Sequence, residues 1–287
     1  MNCILIADSG STKTDWLLTS QAHDILEVHT TGINPVRDSQ DVIFRILSEQ
    51  LMPQLMPHVA SVGSIFFYGS GCVEPFSDSV REALGRHFPE ATAAVESDLL
   101  GAARALCGHQ PGIACILGTG SNTCYFDGSH IALHTPPLGY ILGDEGSGAT
   151  LGRILLNRLL KGALPQQMKD ELLTRYNLTL ASILDRVYKQ PQANVFLASL
   201  VPFITEHRSH PQIRRMLHEA FTDFVVRNIL PYGHPELPLH FVGSIAAIYR
   251  EELQAAIEEQ GLRMGRIVQK PLHAIAQYHS TLHEAAV

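Results

Sequence analysis

Cys3-Ile-Leu-Ile-Ala-Asp8-Ser-Gly10-Ser11-Thr12-Lys13-Thr14 runs an apolar strand into a turn of small residues, and Ile113-Ala-Cys-Ile-Leu-Gly118-Thr119-Gly120-Ser121-Asn122-Thr123 does the same again. In each copy a second apolar strand follows (16–19; 124–126), then a polar turn, then a third strand (25–28; 131–133). Sliding one copy along the other sets Gly10 on Gly120 and Ser11 on Ser121. Glycine lets backbone approach a ligand closely and adopt positive φ, so a pair of such hairpins can aim N–H groups and hydroxyls at a polyphosphate from two sides. The phosphate-facing candidates are Gly10, Ser11, Thr12 and Lys13 on the first turn and Gly118, Thr119 and Gly120 on the second.

Outward from the first copy, the apolar spacing of Val42, Ile43, Ile46, Leu47 and Leu51 predicts a helix over 40–56, limited by Pro53 and Pro57. A buried strand over 64–68 closes at Gly69-Ser70-Gly71, a helix is expected over 74–88, a short strand over 93–95, and a helix over 99–106 ending at Gly108. The second copy begins the same way at Gly112. It continues into helical stretches over 149–226, a strand over 239–242, a helix over 245–260, a last strand over 266–269 and a terminal helix over 273–286.

Strands alternating with helices behind antiparallel hairpins imply a parallel core in each half. The predicted fold class is therefore α/β, a duplicated ribonuclease-H-like (actin-type ATPase) fold of two lobes with an interdomain nucleotide cleft. The expected boundaries are 1–111 for the N-terminal lobe, completed by a C-terminal helix over 272–287, and 112–271 for the C-terminal lobe.

The chain of 287 residues is 45% hydrophobic and 17% charged, with a net charge of −7. Without a basic stripe, nucleic acid is not an expected partner. The N-terminus enters a strand with no basic n-region, and every apolar run is too short to span a bilayer, so the expectation is a cytoplasmic protein that does not engage a membrane. Five cysteines carry no C-x-x-C pair or metal-type spacing, and Cys3 and Cys115 read as buried thiols in strands. The fifteen histidines, including His130 with His134 and His207 with His210, show no helical metal-binding spacing and read as surface residues.

Asp8 ends the first strand just before the glycine turn, where a carboxylate can hold Mg²⁺ directly or through water; an ordinary hairpin turn also explains it. The chain has neither a G-x-x-x-x-G-K-[ST] loop nor a G-x-G-x-x-G opening a helix, so the phosphate site is of the hairpin kind. Asp98 follows a strand and precedes a helix. It is either a helix cap or the base that takes the proton of a substrate hydroxyl attacking a γ-phosphate. In Gly143-Asp144-Glu145-Gly146-Ser147-Gly148, two acids among three glycines exceed what capping needs and suit a polyol ligand. Asn34 sits in a turn, and Gly243-Ser244 ends a strand where a flat base could lie on backbone.

These residues resemble the N-acetylglucosamine kinase group within the BadF/BadG/BcrA/BcrD ATPase-type family, part of the sugar kinase, actin and heat-shock chaperone superfamily. The resemblance runs through the whole chain. It is most specific in Asp8–Thr14, Gly32-Ile-Asn34, Tyr68-Gly-Ser-Gly71, Ser97-Asp98-Leu-Leu-Gly101, Leu117–Asn122 and Leu142–Gly148. It implies phosphate contacts at Thr12 and Thr119, catalytic base duty for Asp98, and adenosine contacts near Gly243 and Ser244. It also implies amino-sugar contacts at Asn34, Asp98, Ser121, Asn122, Leu138, Gly139 and Asp144. Leu138 stands where the family has a bulky aromatic.

The implied activity is ATP- and Mg²⁺-dependent transfer of phosphate to the 6-hydroxyl of N-acetylglucosamine, by a homodimer. Alternatives are an N-acetylmuramic acid or other amino-sugar kinase, an iron-sulfur ATPase activator of a radical dehydratase using Cys72 and Cys107, and a non-catalytic sugar sensor.

Overall fold

The structure is a computed structural model that describes residues 3–10, 12–20 and 23–284. The chain divides into two compact units. Unit 1 is Met1–Gln110, Gly128–His130 and Lys270–Val287; unit 2 is Pro111–Asp127 and Ile131–Gln269. Each is built on a five-stranded mixed sheet.

In unit 1 the strands are β1 (Cys3–Ser9), β2 (Lys13–Thr19), β3 (Asp24–Thr31), β4 (Val62–Gly69) and β5 (Thr92–Ser97), in the order β3-β2-β1-β4-β5. β1 is antiparallel to β2 and parallel to β4, which is parallel to β5. In unit 2, β6 (Gly112–Leu117), β7 (Ser121–Phe126), β8 (Ile131–Thr135), β9 (Pro238–Val242) and β10 (Arg263–Val268) run in the order β10-β9-β6-β7-β8. Counted within its own unit, the second sheet has the strand order of the first, so the α/β duplicated ribonuclease-H-like fold is present in both halves.

Central strands read as unbroken apolar runs because both faces are covered: Leu5, Ile6 and Ala7 of β1 are fully buried, as are Ala114, Cys115 and Leu117 of β6. Trp16 is buried in β2 with its indole N–H donated to Thr30 Oγ1 at 3.0 Å, which satisfies its one polar atom. One face of the unit 1 sheet packs on Ile43, Leu47, Leu51 and Leu55. Residues spaced by four slip about 40° per step on a regular α-helix. The chain corrects this with a π-helical turn at Leu47–Leu51 between helices Gln40–Ile46 and Met52–Leu55. On the other side Leu272, Ile275 and Ala276 of the helix Leu272–Glu284 cluster with Ile4, Ile6 and Leu17.

Elsewhere most elements match expectation with shifted ends, while the helix expected over 245–260 is two, Ser244–Ile248 and Arg250–Glu259. The helix expected over 74–88 begins at Ser77, after a turn in which Val73 O accepts from Phe76 and Ser77 N–H. Within the helical stretches expected over 149–226, the chain breaks between the helices Ala193–Ala198 and Val201–Glu206, because Pro202 has no N–H to continue the ladder. Among the described residues no helix is long and apolar enough to cross a membrane.

Candidate functional site

In unit 1 the carboxyl ends of the parallel strands carry the candidates. Asp8 and Ser9 end β1, Gly69 ends β4, and Ser97 ends β5, in register with one another (Asp8↔Tyr68, Ser9↔Gly69, Gly69↔Ser97). The loops leaving these ends are cross-linked. Ser70 N–H donates to Ser9 O at 3.0 Å, Gly32 N–H to Thr12 O at 3.1 Å, and Ile33 N–H to Ser9 Oγ at 3.0 Å. Ser9 Oγ also lies 2.7 Å from Thr14 Oγ1, across the base of the hairpin. Gly32 is obligatory, since a Cβ there would lie 2.4 Å from Gly10 O.

Asp98 is not the helix cap. Ser97 caps the helix Asp98–Cys107, its Oγ accepting Leu100 N–H at 3.2 Å, and Asp98 is the first helical residue. The Asp98 carboxylate instead accepts from backbone N–H groups at Asp98 and Leu99 and from the Ser70 hydroxyl, while burial pushes it up to about 6. Asp8 is pushed up to about 7, first by burial, then by the charges of Asp98 and Asp15, with Lys13 offsetting part of the effect. Lys13 pairs with Asp15, Nζ to Oδ2 2.8 Å, and Asp15 also meets His29 Nδ1 at 2.7 Å. Asn34 Oδ1 accepts Val36 N–H at 3.0 Å and presses on Gly71, whose added Cβ would lie 2.4 Å from it. Gly10, Thr12 and Lys13 are exposed at the turn; Ser11 lies outside the described residues.

Unit 2 carries a second set. Across its hairpin Leu117 pairs with Ser121, and Gly118 N–H donates to Gly120 O at 3.0 Å, as Gly10 N–H donates to Lys13 O at 3.0 Å in the first. Gly10 therefore corresponds to Gly118 and Thr14 to Ser121. The match of Gly10 to Gly120 and Ser11 to Ser121 expected from the sliding comparison is corrected: the second loop is one residue shorter.

Gly148 and Ala149 N–H donate to Gly118 O and Thr119 O at 2.8 and 3.0 Å, tying this turn to the start of the helix Gly148–Leu160. Ser147 caps that helix, which frees Asp144 and Glu145 of capping work. Asp144 is buried in a left-handed conformation (φ 54), and its Oδ1 accepts Ser121 N–H at 3.1 Å. Burial raises its carboxyl, the Ser121 N–H lowers it, and Glu145 raises it.

Leu138 and Gly139 have positive φ and lead into the short turn Gly139–Leu142, with Leu138 62% exposed. Asn122 Oδ1 lies 2.8 Å from His134 Nε2. Gly243 (φ 121) has no room for a side chain, since a Cβ would sit 2.4 Å from Leu117 O, and Ser244 opens the next helix, exposed.

Sequence reasoning missed two residues. Ser70 binds Asp98 from the Gly69–Gly71 turn, whose small residues are the only signal. His134, read as a surface histidine, reaches Asn122 across the β7–β8 hairpin. His134 is exposed as expected, whereas His279 is not on the surface: it is buried, stacked on Phe66 at 3.6 Å between ring centroids, with Nε2 2.8 Å from Tyr68 OH.

The chain matches no family model and no curated protein. Among solved structures it is similar to a candidate N-acetylglucosamine kinase from Porphyromonas gingivalis, at 45% identity over 98% of this chain and 99% of that one, with a TM-score of 0.95. The chain belongs to the N-acetylglucosamine kinase group of the BadF/BadG/BcrA/BcrD ATPase-type family. A candidate N-acetylglucosamine kinase from Chromobacterium violaceum is 21% identical over 97% of this family member and 99% of its own chain, at a TM-score of 0.64. The ROK hexokinase of Thermus thermophilus is 13% identical over 96% and 98%, at 0.56. These two share the fold.

Proposed function

We propose that this protein is an ATP-dependent sugar kinase that transfers the γ-phosphate of ATP to the 6-hydroxyl of N-acetylglucosamine. The observation that carries this reading is Asp98: relieved of capping by Ser97, partly buried at the carboxyl end of β5, and raised to about 6, where it is ionised at neutral pH yet basic enough to take a proton. As the sugar hydroxyl oxygen bonds to the γ-phosphorus, its proton passes to the Asp98 carboxylate. The bond to the β,γ-bridging oxygen breaks and ADP leaves. Ser70 and the N–H groups of Asp98 and Leu99 favour the charged form of that carboxylate.

The glycine turns at Gly10–Lys13 and Gly118–Gly120 suit the phosphates, and Gly243-Ser244 suits the adenosine. Asn34, Ser121, Asn122, Leu138, Gly139 and Asp144 suit the sugar. Asp8 fits Mg²⁺, because its half-buried carboxylate feels the negative charges of Asp98 and Asp15, offset in part by Lys13, and a cation there would relieve them. No cluster of three or more His, Cys, Asp or Glu side chains that could hold a metal occurs among the described residues. When bound, Mg²⁺ would neutralise charge on the phosphates. The activator alternative is disfavoured by Cys72, which is buried and has its thiol pushed up to about 12.

Coupled ATP turnover across N-acetylglucosamine, N-acetylmuramic acid, glucosamine, N-acetylmannosamine and glucose tests the reading. Turnover dependent on N-acetylglucosamine supports it, preference for another sugar renames the substrate, and ATP hydrolysis indifferent to sugar overturns it.

A further inference from the structure

Asn122 lies in β7 one residue past Ser121, and His134 lies in β8 opposite Cys124, so the two side chains are diagonal neighbours on one face of the antiparallel pair. Asn122 Oδ1 accepts Thr123 N–H at 3.0 Å and meets His134 Nε2 at 2.8 Å. A backbone N–H can only donate, so the atom it meets is the amide oxygen and not the amide nitrogen. That in turn requires His134 Nε2 to carry the hydrogen, as it does in one neutral tautomer and in the protonated ring. With both donors on Oδ1, the amide is held against flipping and its NH₂ is the only group it can offer a ligand.

We propose that His134 is a positioning residue that locks Asn122 as a hydrogen-bond donor, so that the substrate presents an oxygen acceptor to Asn122, a hydroxyl or carbonyl oxygen and not an ammonium group. This rests on the sugar-kinase reading and deepens it. Asn34 follows the same rule in unit 1, where Val36 N–H occupies its Oδ1.

The test is steady-state kinetics of H134A, H134Q, N122A and the double variant H134A/N122A with N-acetylglucosamine and ATP. The loss of one such hydrogen bond predicts an H134A sugar KM raised about fivefold, with kcat and the ATP KM near wild type. H134Q, which can place a side-chain N–H close to the Nε2 position, restores the sugar KM. The double variant is no worse than N122A, because the two act as one unit. An unchanged sugar KM in H134A, no rescue by H134Q, or multiplying effects in the double variant overturns the inference while leaving the kinase reading intact. A wild-type protein with no sugar-dependent turnover overturns the kinase reading, and this inference with it.

Discussion

Ser97 Oγ accepts the N–H of Leu100 at 3.2 Å, and this single bond decides what the neighbouring Asp98 carboxylate is free to do. Asp98→Asn keeps the shape and removes the base, so sugar-dependent turnover should fall by roughly 10² to 10⁴-fold. The fold should be retained, as checked by circular dichroism beside the coupled assay. Full activity in the variant would remove Asp98 from catalysis.

The same substitution should alter stability in the opposite direction. An unfolded aspartate titrates near 3.8, and the folded Asp98 near 6, so the native state binds more protons across that interval. The contribution is fully present below about 3.8 and is lost as pH rises through about 6. Asn at this position carries no such dependence. In the absence of ATP and Mg²⁺, the Tm of Asp98→Asn relative to wild type should increase from pH 4 to pH 8; a constant difference would contradict the raised carboxyl.

Asp144 splits a binding role from a structural one. Asp144→Asn can still accept Ser121 N–H through its carbonyl oxygen, so the protein should fold normally while the sugar KM rises more than kcat falls. Asp144→Ala leaves that buried N–H unpaired and should cost about 1–3 kcal/mol in addition, read by urea unfolding.

Gly243→Ala introduces a methyl 2.4 Å from Leu117 O at a φ of 121 that L residues rarely adopt. Relief requires moving the backbone that leads into the Gly118–Gly120 turn. The expected result is a loss of about 1–3 kcal/mol in stability from backbone strain, with a raised ATP KM. An unchanged melting curve would mean that the turn is softer than its packing indicates.

Tyr68→Phe tests the attachment of the Leu272–Glu284 helix. The hydroxyl accepts Arg104 Nη1 at 2.6 Å and meets His279 Nε2 at 2.8 Å. Its removal deletes both of these hydrogen bonds and should cost about 1–3 kcal/mol in urea unfolding while leaving both KM values near wild type.

The succession of strands and helices along the chain and the two glycine hairpins were legible because local chemistry dictates them: apolar runs covered on both faces, then residues that tolerate sharp turns. Asp144 and its glycines stood out for the same reason. What could not be read was decided by single bonds or by distance along the chain. Ser97 and Asp98 are both competent caps, and only the geometry of the β5 exit selects Ser97. The extra residue in the first hairpin loop displaced the alignment of Ser11 with Ser121, since a sliding comparison without gaps cannot insert it. His279 meets Tyr68 across 211 residues of sequence, a separation at which periodicity carries no information.

Unit 1 is closed by a segment made after all of unit 2. The face formed by Ile4, Ile6 and Leu17 waits through most of translation for Leu272, Ile275 and Ala276. Although its sheet emerges first from the ribosome, this unit completes its core last, and a nascent chain stalled before Leu272 carries an exposed apolar surface that a holding chaperone would have to shield.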